Sequence, residues 1–556
     1  MQSIGNMFST FYGGNYHPFT TLSQTIVYHF WGLNPKPFHW VNFIVHLLNV
    51  ILVFRLIFLL SAKKEAALIV TLFFAIHPMH VESVSWITES KDLLYSFFYL
   101  GSLICYIGYI KSEEASRIAE MNSRYYLMSL LLFLFSLLSK SMAVSLPVVL
   151  ILIDYYFNRK ISKKSMLDKA AFFILSLLFG IIALYSQGAA GAMDLIPVYS
   201  FVDKIFLSGY TVVFYIVKLL VPTSLSALYP FVDTITGGFA IQCYLALLFI
   251  FLIIWGIYKS GKYRKELIFG TAFFLITISL VLQIIPVGRA MAADRYTYIP
   301  SIGLFFIIAQ FYCSISENKS RLTNKIKPYF ILILISYTAI FSINTWNRNK
   351  VWENGITLFS DVIKKNPGLA LAYNNRGSVK NDLQQYSAAI PDFSEAIRLN
   401  PNYYEAYYNR GIAKGRIQDN SGAKPDYTDA VADYTQAIHI NPLFADAYNN
   451  RGLTKGVSGD LDGALADFKE AVRINPLNAF AFCNLAIAES FYTNYDQALK
   501  DFDKSIHLFP DYGRAYFERG KVKLKISKTE EACYDLGKAA ELKYPEANDT
   551  LWKYCR

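Results

Sequence analysis

The most constraining feature of this chain is the junction between two different kinds of sequence. Before Trp346, apolar stretches follow one another with short polar breaks, which is typical of a polytopic membrane protein. Between Asn366 and Pro545 the sequence repeats with a period of about 34 residues, which is typical of helix-turn-helix arrays. The sequence therefore predicts an all-α protein in which a transmembrane helix bundle precedes a superhelix of repeats.

Charge divides at the same junction. Residues 1–345 carry 26 Lys and Arg against 15 Asp and Glu, whereas residues 346–556 carry 27 of each, so the net charge of +11 belongs to the membrane part. Nucleic-acid binding is not favoured, because the repeats have no basic excess. The six cysteines are scattered and form no CxxC pair, so neither a zinc site nor a disulfide framework is indicated.

Basic residues cluster in five short loops, which the positive-inside rule places in the cytoplasm. These residues are Lys63 and Lys64; Lys111, Arg117 and Arg124; Arg159, Lys160, Lys163, Lys164 and Lys169; Lys259, Lys262, Arg264 and Lys265; and Lys319, Arg321, Lys325 and Lys327. Between these loops the sequence predicts ten crossings, at 40–60, 66–77, 92–111, 125–138, 141–157, 169–186, 240–258, 266–285, 296–317 and 328–345.

Ten crossings place both the first residues and the repeats on the non-cytoplasmic side. Either residues 1–38 reach that side by an unusual route, or a helix upstream of Met1 is missing, and we favour the missing helix. The apolar segment 203–221 is expected to be interfacial or re-entrant, because counting it would place the Lys259 loop outside. Residues 20–31 are expected to form an amphipathic interfacial helix. Its lipid-facing residues would be Ile26, Val27, Phe30 and Trp31.

Five repeats carry the small and proline positions of the tetratricopeptide pattern, and four of them also carry its aromatic position. The small residues are Gly377, Gly411, Gly452, Ala486 and Gly520, followed by Ala389, Ala430, Ala464, Ala498 and Ala532. Aromatic residues follow at Phe393, Tyr434, Phe468 and Phe502, and the repeats close on Pro401, Pro442, Pro476, Pro510 and Pro545. An insertion around 424–428 lengthens the second repeat. The predicted domains are thus a membrane domain at 1–345, a linker helix at 346–366, repeats at 367–545 and a cap at 546–556.

The inner face of such a superhelix usually binds an extended peptide. Four repeats place asparagine two residues before the small position, at Asn375, Asn409, Asn450 and Asn484. A ladder of these side chains would offer donors and acceptors to a peptide backbone without reading its sequence. The alternative is that asparagine is simply common at this position of the repeat.

Candidate chemistry lies in the predicted outer loops. The loop after the second predicted span contains His77, His80 and Glu82, followed by Glu89, Lys91 and Asp92. Such a group is suited to binding a metal, binding a phosphate or assisting proton transfer, although a zinc site needs further ligands. The structural alternative is a hydrogen-bonded helix turn at the membrane interface.

A second outer stretch contains Arg289, Asp294, Arg295, Tyr296 and Tyr298. Ionisable residues at a membrane boundary are costly unless paired, so they are functional candidates. Arg295 has the geometry to hold a phosphate in a bidentate manner, with Asp294 fixing the arginine in place. A helix-stapling ion pair is the alternative.

Two further polar features accompany these loops. Lys140, at the tip of an outer hairpin, is a third cation, for which interface anchoring is an alternative explanation. Asn42, His46 and Asn49 share one stripe of the first span, where interhelical hydrogen bonds suffice as an explanation.

Four stretches resemble the transmembrane and tetratricopeptide-repeat-containing (TMTC) family and its bacterial relatives. They are YHPFTTLSQ (16–24), AIHPMHVESVSWITESKDLLY (75–95), LLSKSMAVSLPVVLILIDYY (137–156) and ADRYTYIP (293–300). The resemblance covers nearly the whole chain. It implies a GT-C-fold glycosyltransferase that moves a sugar, mannose in animal members, from a polyprenyl phosphate to protein hydroxyls on the non-cytoplasmic side.

The family's acidic residue in the first outer loop has no counterpart here, because no Asp or Glu precedes Glu65. The chain is therefore expected to be a fragment of an enzyme or an inactive relative. For an intact enzyme we expect inverting transfer, with a carboxylate as general base and cations on the leaving phosphate. Arg295, Arg289, Lys140 and His80 are the phosphate candidates. His77, Asp294, Tyr298 and Lys91 are supporting residues, and Glu82 or Asp92 supplies the carboxylate.

Two other classes remain open. A non-catalytic envelope scaffold would use the membrane part to anchor a peptide-binding array, and the missing acidic residue favours it. A transporter would need charged residues in its spans, which apart from Arg55 are almost free of them. The expected setting is a bacterial inner membrane with periplasmic repeats. The sequence leaves the sugar and any cofactor open, including a divalent metal.

Overall fold

The computed structural model describes residues 4–9, 11, 14–114, 119–160, 162–189, 200–231, 241–282, 284, 290–318, 321–417 and 427–555. Within these residues every regular secondary-structure element is a helix, which confirms the all-α prediction. The chain divides into two compact units, Met1–Lys365 and Asn366–Arg556. This division falls inside the predicted linker 346–366.

The first unit contains fifteen α-helices within the described residues. They are α1 (Ile4–Ser9), α2 (Pro18–Trp31), α3 (Pro35–Ser61), α4 (Lys64–Ile76), α5 (Val81–Ser85), α6 (Ser90–Glu114), α7 (Ala119–Ser139), α8 (Leu146–Tyr156), α9 (Lys163–Ala189), α10 (Phe201–Leu220), α11 (Ile241–Lys259), α12 (Arg264–Ile278), α13 (Ser301–Glu317), α14 (Arg321–Val351) and α15 (Gly355–Lys365). Short 3₁₀ turns lie at Pro78–His80, Ile87–Glu89, Ser141–Ser145, Gly261–Tyr263, Ser279–Val281 and Asp294–Thr297.

Five stretches of the described residues are long and apolar enough to cross a membrane: Pro35–Ser61, Ile87–Glu113, Lys163–Gly188, Ile241–Lys259 and Lys325–Val351. Lys64–Ile76 and Pro78–Ser85 together form a sixth candidate that bends by 50° at its break. These helices make the chain an integral membrane protein. The ten-crossing topology stays a prediction, and two further apolar helical stretches of the first unit, Ser141–Tyr156 and Ser301–Glu317, are shorter than a straight span requires.

The helix predicted at residues 20–31 is present as α2, and its location in the membrane interface stays a prediction. Ile26, Phe30 and Trp31 are exposed as expected. Val27 is buried, so its assignment to the lipid-facing set was wrong. Two turns earlier, the hydroxyl of Thr20 donates to the carbonyl of Ser139 at 3.0 Å, which docks α2 onto the end of α7. That contact turns part of the α2 surface toward protein instead of lipid.

The polar stripe of α3 makes interhelical hydrogen bonds, as predicted. The Asn42 amide donates to the carbonyl of Val84 at 3.2 Å, and the Asn49 amide donates to the carbonyl of Leu93 at 3.0 Å. His46 Nδ1 lies 2.7 Å from the Tyr298 hydroxyl. Because these groups have no water to bond inside a bilayer, their mutual bonds hold α3 to the outer loops.

Helices α12 and α13 touch backbone to backbone at a pair of glycines. A Cβ added at Gly270 would lie 2.6 Å from the carbonyl oxygen of Gly303, and one added at Gly303 would meet the carbonyl oxygen of Gly270. Small residues at such crossings let membrane helices pack by close van der Waals contact. Neither position therefore has room for a side chain.

We expect Gly303→Ala to destabilise the membrane unit by about 1–3 kcal/mol, because the added methyl group forces α12 and α13 apart. Thermal unfolding of the detergent-solubilised protein measures this as a lower melting temperature. Gly256→Ala in α11 is the matched control, since nothing lies within 4 Å of a Cβ there. Equal melting temperatures for the two variants would refute the close crossing.

The second unit consists of antiparallel helix pairs and one final helix. Its described helices are α16 (Ala370–Asp382), α17 (Tyr386–Leu399), α18 (Tyr404–Arg416), α19 (Thr428–Ile440), α20 (Ala445–Ser458), α21 (Leu461–Ile474), α22 (Ala479–Phe491), α23 (Tyr495–Leu508), α24 (Gly513–Lys525), α25 (Thr529–Glu541) and α26 (Ala547–Tyr554). Most of the predicted insertion around 424–428 lies outside the described residues. The small residues pack as predicted, because a Cβ at Gly377 would lie 2.7 Å from the ring of Phe393.

Each of four repeats also buries an arginine–aspartate pair that the sequence analysis did not single out. The pairs are Arg376–Asp392, Arg410–Asp433, Arg451–Asp467 and Arg519–Asp535, with nitrogen–oxygen distances of 2.5–2.7 Å. In the fourth of the five repeats Leu485 replaces the arginine, and Asp501 accepts instead from the Gln497 amide at 3.1 Å. Burial raises the pKa of Asp501.

One disulfide bond is present, which the scattered positions of the cysteines had not indicated. Cys533 in α25 and Cys555 after α26 are disulfide-bonded, with their Cα atoms 5.5 Å apart. They lie 22 residues apart in the sequence, and they meet because α26 folds back along α25. Sequence spacing alone does not reveal such a contact, because it depends on the turn between the two helices.

Candidate functional site

The predicted outer loops converge on one cluster of buried charges. It is formed by the bent segment after α4, the start of α6, the turn between α7 and α8, and the turn before α13. Three carboxylates, Glu82, Glu89 and Asp92, are each no more than 2 % exposed. Three cations face them: Lys91, Lys140 and Arg295. We call these six residues the outer charge cluster.

Arg295 and Glu82 form the best-connected pair of the cluster. The Glu82 Oε1 atom accepts a hydrogen bond from the Arg295 guanidinium, and Oε2 accepts from the Arg295 backbone N–H at 3.1 Å. The guanidinium also lies over the rings of Trp86 and Tyr296, at 5.3 and 4.8 Å from their centroids. Carboxylate bonding and cation–π contact both stabilise the buried positive charge.

Lys140 is the second cation of the outer charge cluster that pairs with a buried carboxylate. Its ammonium donates to Asp92 Oδ1 and lies 5.8 Å from the ring centroid of Tyr95. Burial alone lowers the pKa of Lys140, but the facing Asp92 and Glu89 more than offset this and raise it. Lys140 is therefore charged throughout the physiological range, and simple anchoring at the membrane interface does not describe its environment.

Two carboxylate oxygens of the cluster accept no hydrogen bond from an amide, amine or hydroxyl group among the described residues, although the Glu89 and Asp92 carboxyl groups lie within hydrogen-bond reach of each other. They are Glu89 Oε2 and Asp92 Oδ2, and both are buried. Buried acceptors are normally satisfied, so a pair of open ones indicates a place for a donor such as a hydroxyl group. The cluster thus combines cations suited to an anion with acceptors suited to a hydroxyl.

Asp294 points away from this cluster, although it adjoins Arg295. Its Oδ1 accepts from the Tyr229 hydroxyl at 2.7 Å, and its Oδ2 lies 3.7 Å from the Arg348 guanidinium. Arg348 donates in turn to Asp361 in α15 at 2.8 Å. Asp294 therefore ties the turn before α13 to the end of α14, and it holds Arg295 in position only through the backbone.

The histidines occupy the protein interior. His80 is 2 % exposed, and its ring nitrogens contact the Phe74 carbonyl at 2.8 Å and the Ser301 hydroxyl at 3.3 Å. His77 Nε2 contacts the Leu219 carbonyl at 3.1 Å. To bind a phosphate, His80 would have to give up one of these two hydrogen bonds. The structural alternative, a hydrogen-bonded helix turn, accounts for the positions of both histidines without a ligand.

The remaining predicted site residues of the outer loops are Tyr298 and Arg289. Tyr298 bonds to His46 and Asn49 and lies beneath the outer charge cluster. Arg289 lies outside the described residues. No group of three or more His, Cys, Asp or Glu side chains in the described part of the chain is arranged to hold a metal ion.

Sequence reasoning missed three residues of this region, His17, Tyr229 and Arg348, and it gave no role to Glu89, which it named between Glu82 and Lys91. His17 lies in a segment quoted only for its family resemblance. Burial and the nearby Lys91 lower the pKa of His17, which places the imidazole beside the cluster. No sequence pattern singled out Tyr229 or Arg348, because they come close to Asp294 only in the folded protein.

Three of the four predicted asparagines bond to side chains of the preceding repeat. Asn409 donates to the Asn374 side chain at 3.0 Å, and Asn484 donates to the Asn449 side chain at 2.9 Å. Asn450 donates to the Tyr408 hydroxyl at 2.9 Å, and Asn375 is half-buried. These bonds join neighbouring repeats, so a peptide would have to compete with them. Peptide binding by these residues stays a prediction.

Fold and site together define an all-α integral membrane protein with an outer charge cluster and a C-terminal tetratricopeptide array. Family models described as tetratricopeptide repeats match residues 370–403 and 423–479. Across the wider chain, the similarity is to TMTC-family proteins, which confirms the predicted family resemblance. It does not establish a bacterial origin.

Three relatives show the extent of this similarity. Human protein O-mannosyl-transferase TMTC3 is 22 % identical over 416 residues, 68 % of this chain and 44 % of that protein. The Caenorhabditis elegans protein O-mannosyl-transferase F38B6.6 is 23 % identical over 383 residues, 66 % of this chain and 51 % of that protein. Xenopus laevis protein O-mannosyl-transferase tmtc2 is 36 % identical over 102 residues, 18 % of this chain and 12 % of that protein. The chain spans about half the length of the first two relatives.

Solved structures match over the repeats. The tetratricopeptide protein YrrB, described as having an unusual peptide-binding site, is 20 % identical and covers 33 % of this chain and 91 % of its own, with a TM-score of 0.28. MamA is also 20 % identical and covers 33 % of this chain and 96 % of its own, with a TM-score of 0.27.

We expect the contribution of Asp294 to the stability of the protein to fall as pH rises from about 4 to about 7. Burial, with a contribution from Glu82, raises the pKa of Asp294 to about 7, whereas an aspartate in an unfolded chain titrates near 4. In that window the folded Asp294 carboxyl group binds more protons than the unfolded one, so its deprotonation favours unfolding. Asp294→Asn removes this titration, so the melting temperature of the wild type is expected to fall by several degrees relative to that of the variant across this window.

Melting curves of the detergent-solubilised wild type and variant from pH 5 to pH 8 measure the difference. Asp203→Asn, in the first turn of α10 and bonded at an exposed helix end, is the control. Parallel pH profiles for wild type and Asp294→Asn would contradict the assignment.

Proposed function

We propose that this protein is a membrane glycosyltransferase of the GT-C type. It moves a sugar, mannose by analogy with the names of its relatives, from a polyprenyl-phosphate donor to a protein hydroxyl on the non-cytoplasmic side. The observation that supports this most is the outer charge cluster, which brings buried cations and open carboxylate oxygens together. A structural ion-pair network alone would have no need for the open acceptors.

Arg295 and Lys140 are proposed to bind the donor phosphate. In the ligand-free arrangement their charges are satisfied by Glu82 and Asp92, so an entering phosphate takes over part of this pairing. An arginine suits a phosphate because it donates two parallel hydrogen bonds. As the bond between the sugar and the phosphate breaks, negative charge grows on the leaving phosphate, and the two cations stabilise it.

Asp92 is the better of the two predicted general bases. Both oxygens of Glu82 accept from Arg295, whereas Asp92 keeps Oδ2 without a partner among the described residues. In the proposed step the acceptor hydroxyl attacks the anomeric carbon, its proton passes to Asp92, and the polyprenyl phosphate leaves with the electrons of the broken bond. This displacement inverts the anomeric centre.

The repeats are proposed to present the acceptor polypeptide. The disulfide between Cys533 and Cys555 supports their location in an oxidising compartment, because such bonds are rare in the cytosol. We place the chain in a bacterial inner membrane with the repeats in the periplasm. The alternative function is a non-catalytic scaffold, in which the array binds peptides and the membrane part only anchors it. The interrepeat asparagine bonds are compatible with either function.

Removing either a cation or the base should abolish sugar transfer. We expect Arg295→Ala to lower the turnover number by about 100-fold or more and Asp92→Asn by a similar factor. The assay follows radiolabelled sugar from a polyprenyl phosphate to protein in membranes. Arg264→Ala is the matched control, since Arg264 also stacks on an aromatic ring, Tyr258, but lies in a predicted cytoplasmic loop.

Activity that survives Arg295→Ala and Asp92→Asn would refute the proposed roles. No transfer by the wild type, together with peptide binding by the repeats, would favour the scaffold.

A further inference from the structure

A polar cavity lies at the opposite end of the membrane helices from the outer charge cluster. Its volume is about 540 Å³. The residues that matter for its chemistry are Lys63, Lys262, Glu266, Gln310, Ser314 and Glu317. We propose that this cavity binds the zwitterionic headgroup of a phosphatidylethanolamine lipid from the cytoplasmic leaflet.

The location of the cavity follows from the helices that bound it. Asn42, near the start of α3, bonds to the outer loops, whereas Lys63 follows the end of the same helix. A helix of 27 residues spans ~40 Å, which is about the thickness of a bilayer with its headgroups. The cavity therefore lies at the headgroup level of the leaflet opposite the outer charge cluster, in the loops that carry the predicted cytoplasmic charges.

The shape of the cavity follows from the glycine crossing of α12 and α13. Glu266 lies one turn before Gly270, and Gln310 lies two turns beyond Gly303. Away from the glycine crossing, α12 and α13 carry larger side chains, and these side chains line the cavity. Phe311, next to Gln310, is 56 % exposed and offers an apolar surface to the acyl chains of a bound lipid.

Charge determines which headgroup fits. Among the residues that the structure describes, two lysines and two glutamates line the cavity, and Lys63 pairs with Glu317 at 2.7 Å. Their charges sum to zero, so a ligand with a net charge would leave an uncompensated charge in a partly enclosed space. A phosphate with an attached ammonium matches both signs at once, because the lysines face the phosphate and the glutamates face the ammonium.

Two buried atoms add an independent indication of a ligand. Gln310 Nε2 and Glu266 Oε2 are buried and have no hydrogen-bond partner among the described residues. One is a donor suited to a phosphate oxygen and the other an acceptor suited to an ammonium group. Leaving both without partners is costly, and a single zwitterion satisfies them together.

The test measures radiolabelled phosphatidylethanolamine bound to the purified full chain after reconstitution in nanodiscs, with phosphatidylglycerol as the anionic comparison. We expect phosphatidylethanolamine to be retained about tenfold better, and Gln310→Leu or Lys262→Glu to lower its retention by about tenfold. Lys262 is exposed, so its variant is expected to fold even if the Gln310 variant does not. Lys259→Glu, an exposed lysine at the end of α11 that does not line the cavity, should leave retention unchanged.

Soluble O-phosphoethanolamine is the competing source of the same chemistry. If it displaces the labelled lipid at equal concentration, the cavity binds a soluble zwitterion and the lipid assignment is wrong. Equal retention of the two lipids, or retention unchanged in the Lys262→Glu variant, would overturn the proposal.

Discussion

The cost of burying charge at a membrane boundary governs the outer end of this protein. An isolated ionised group there is expensive, so Glu82, Asp92 and Arg295 are stable only because each faces an opposite charge. Those pairings join segments that are distant in the sequence, since Glu82 and Arg295 are 213 residues apart. The charges that make the outer charge cluster suited to chemistry therefore also fix the loops around it.

Asp294 and Arg295 show how one short turn serves two purposes. The side chain of Arg295 enters the outer charge cluster, and the side chain of Asp294 bonds to Tyr229 and faces Arg348. Arg348 continues to Asp361 in α15, the last helix of the first unit. Any change in α15 therefore has a direct route to the turn that carries Arg295, which offers a physical path between the linker helix and the outer charge cluster.

Much of this architecture was predictable from the sequence, because it rests on periodic patterns. The repeats, their small and aromatic positions and the polar stripe of α3 follow from spacing along single helices. The partners of Asp294 and the disulfide between Cys533 and Cys555 do not, because they depend on which segments meet after folding. The same limit applies to Val27, whose burial comes from the docking of α2 on α7.

Arg295 and Lys140 are both paired with carboxylates. For this reason the residue types in the sequence could not show whether these charges form a ligand-binding site or a purely structural ion-pair network. Either role requires buried, opposite charges, and only the open oxygens of Glu89 and Asp92 distinguish the two. The most direct measurement is photo-crosslinking with a polyprenyl-phosphate sugar analogue, followed by mass spectrometry of the modified peptides. The account predicts label within residues 80–96 and 290–298. Label confined to the repeats or to the loops around Lys63 and Lys262 would contradict it.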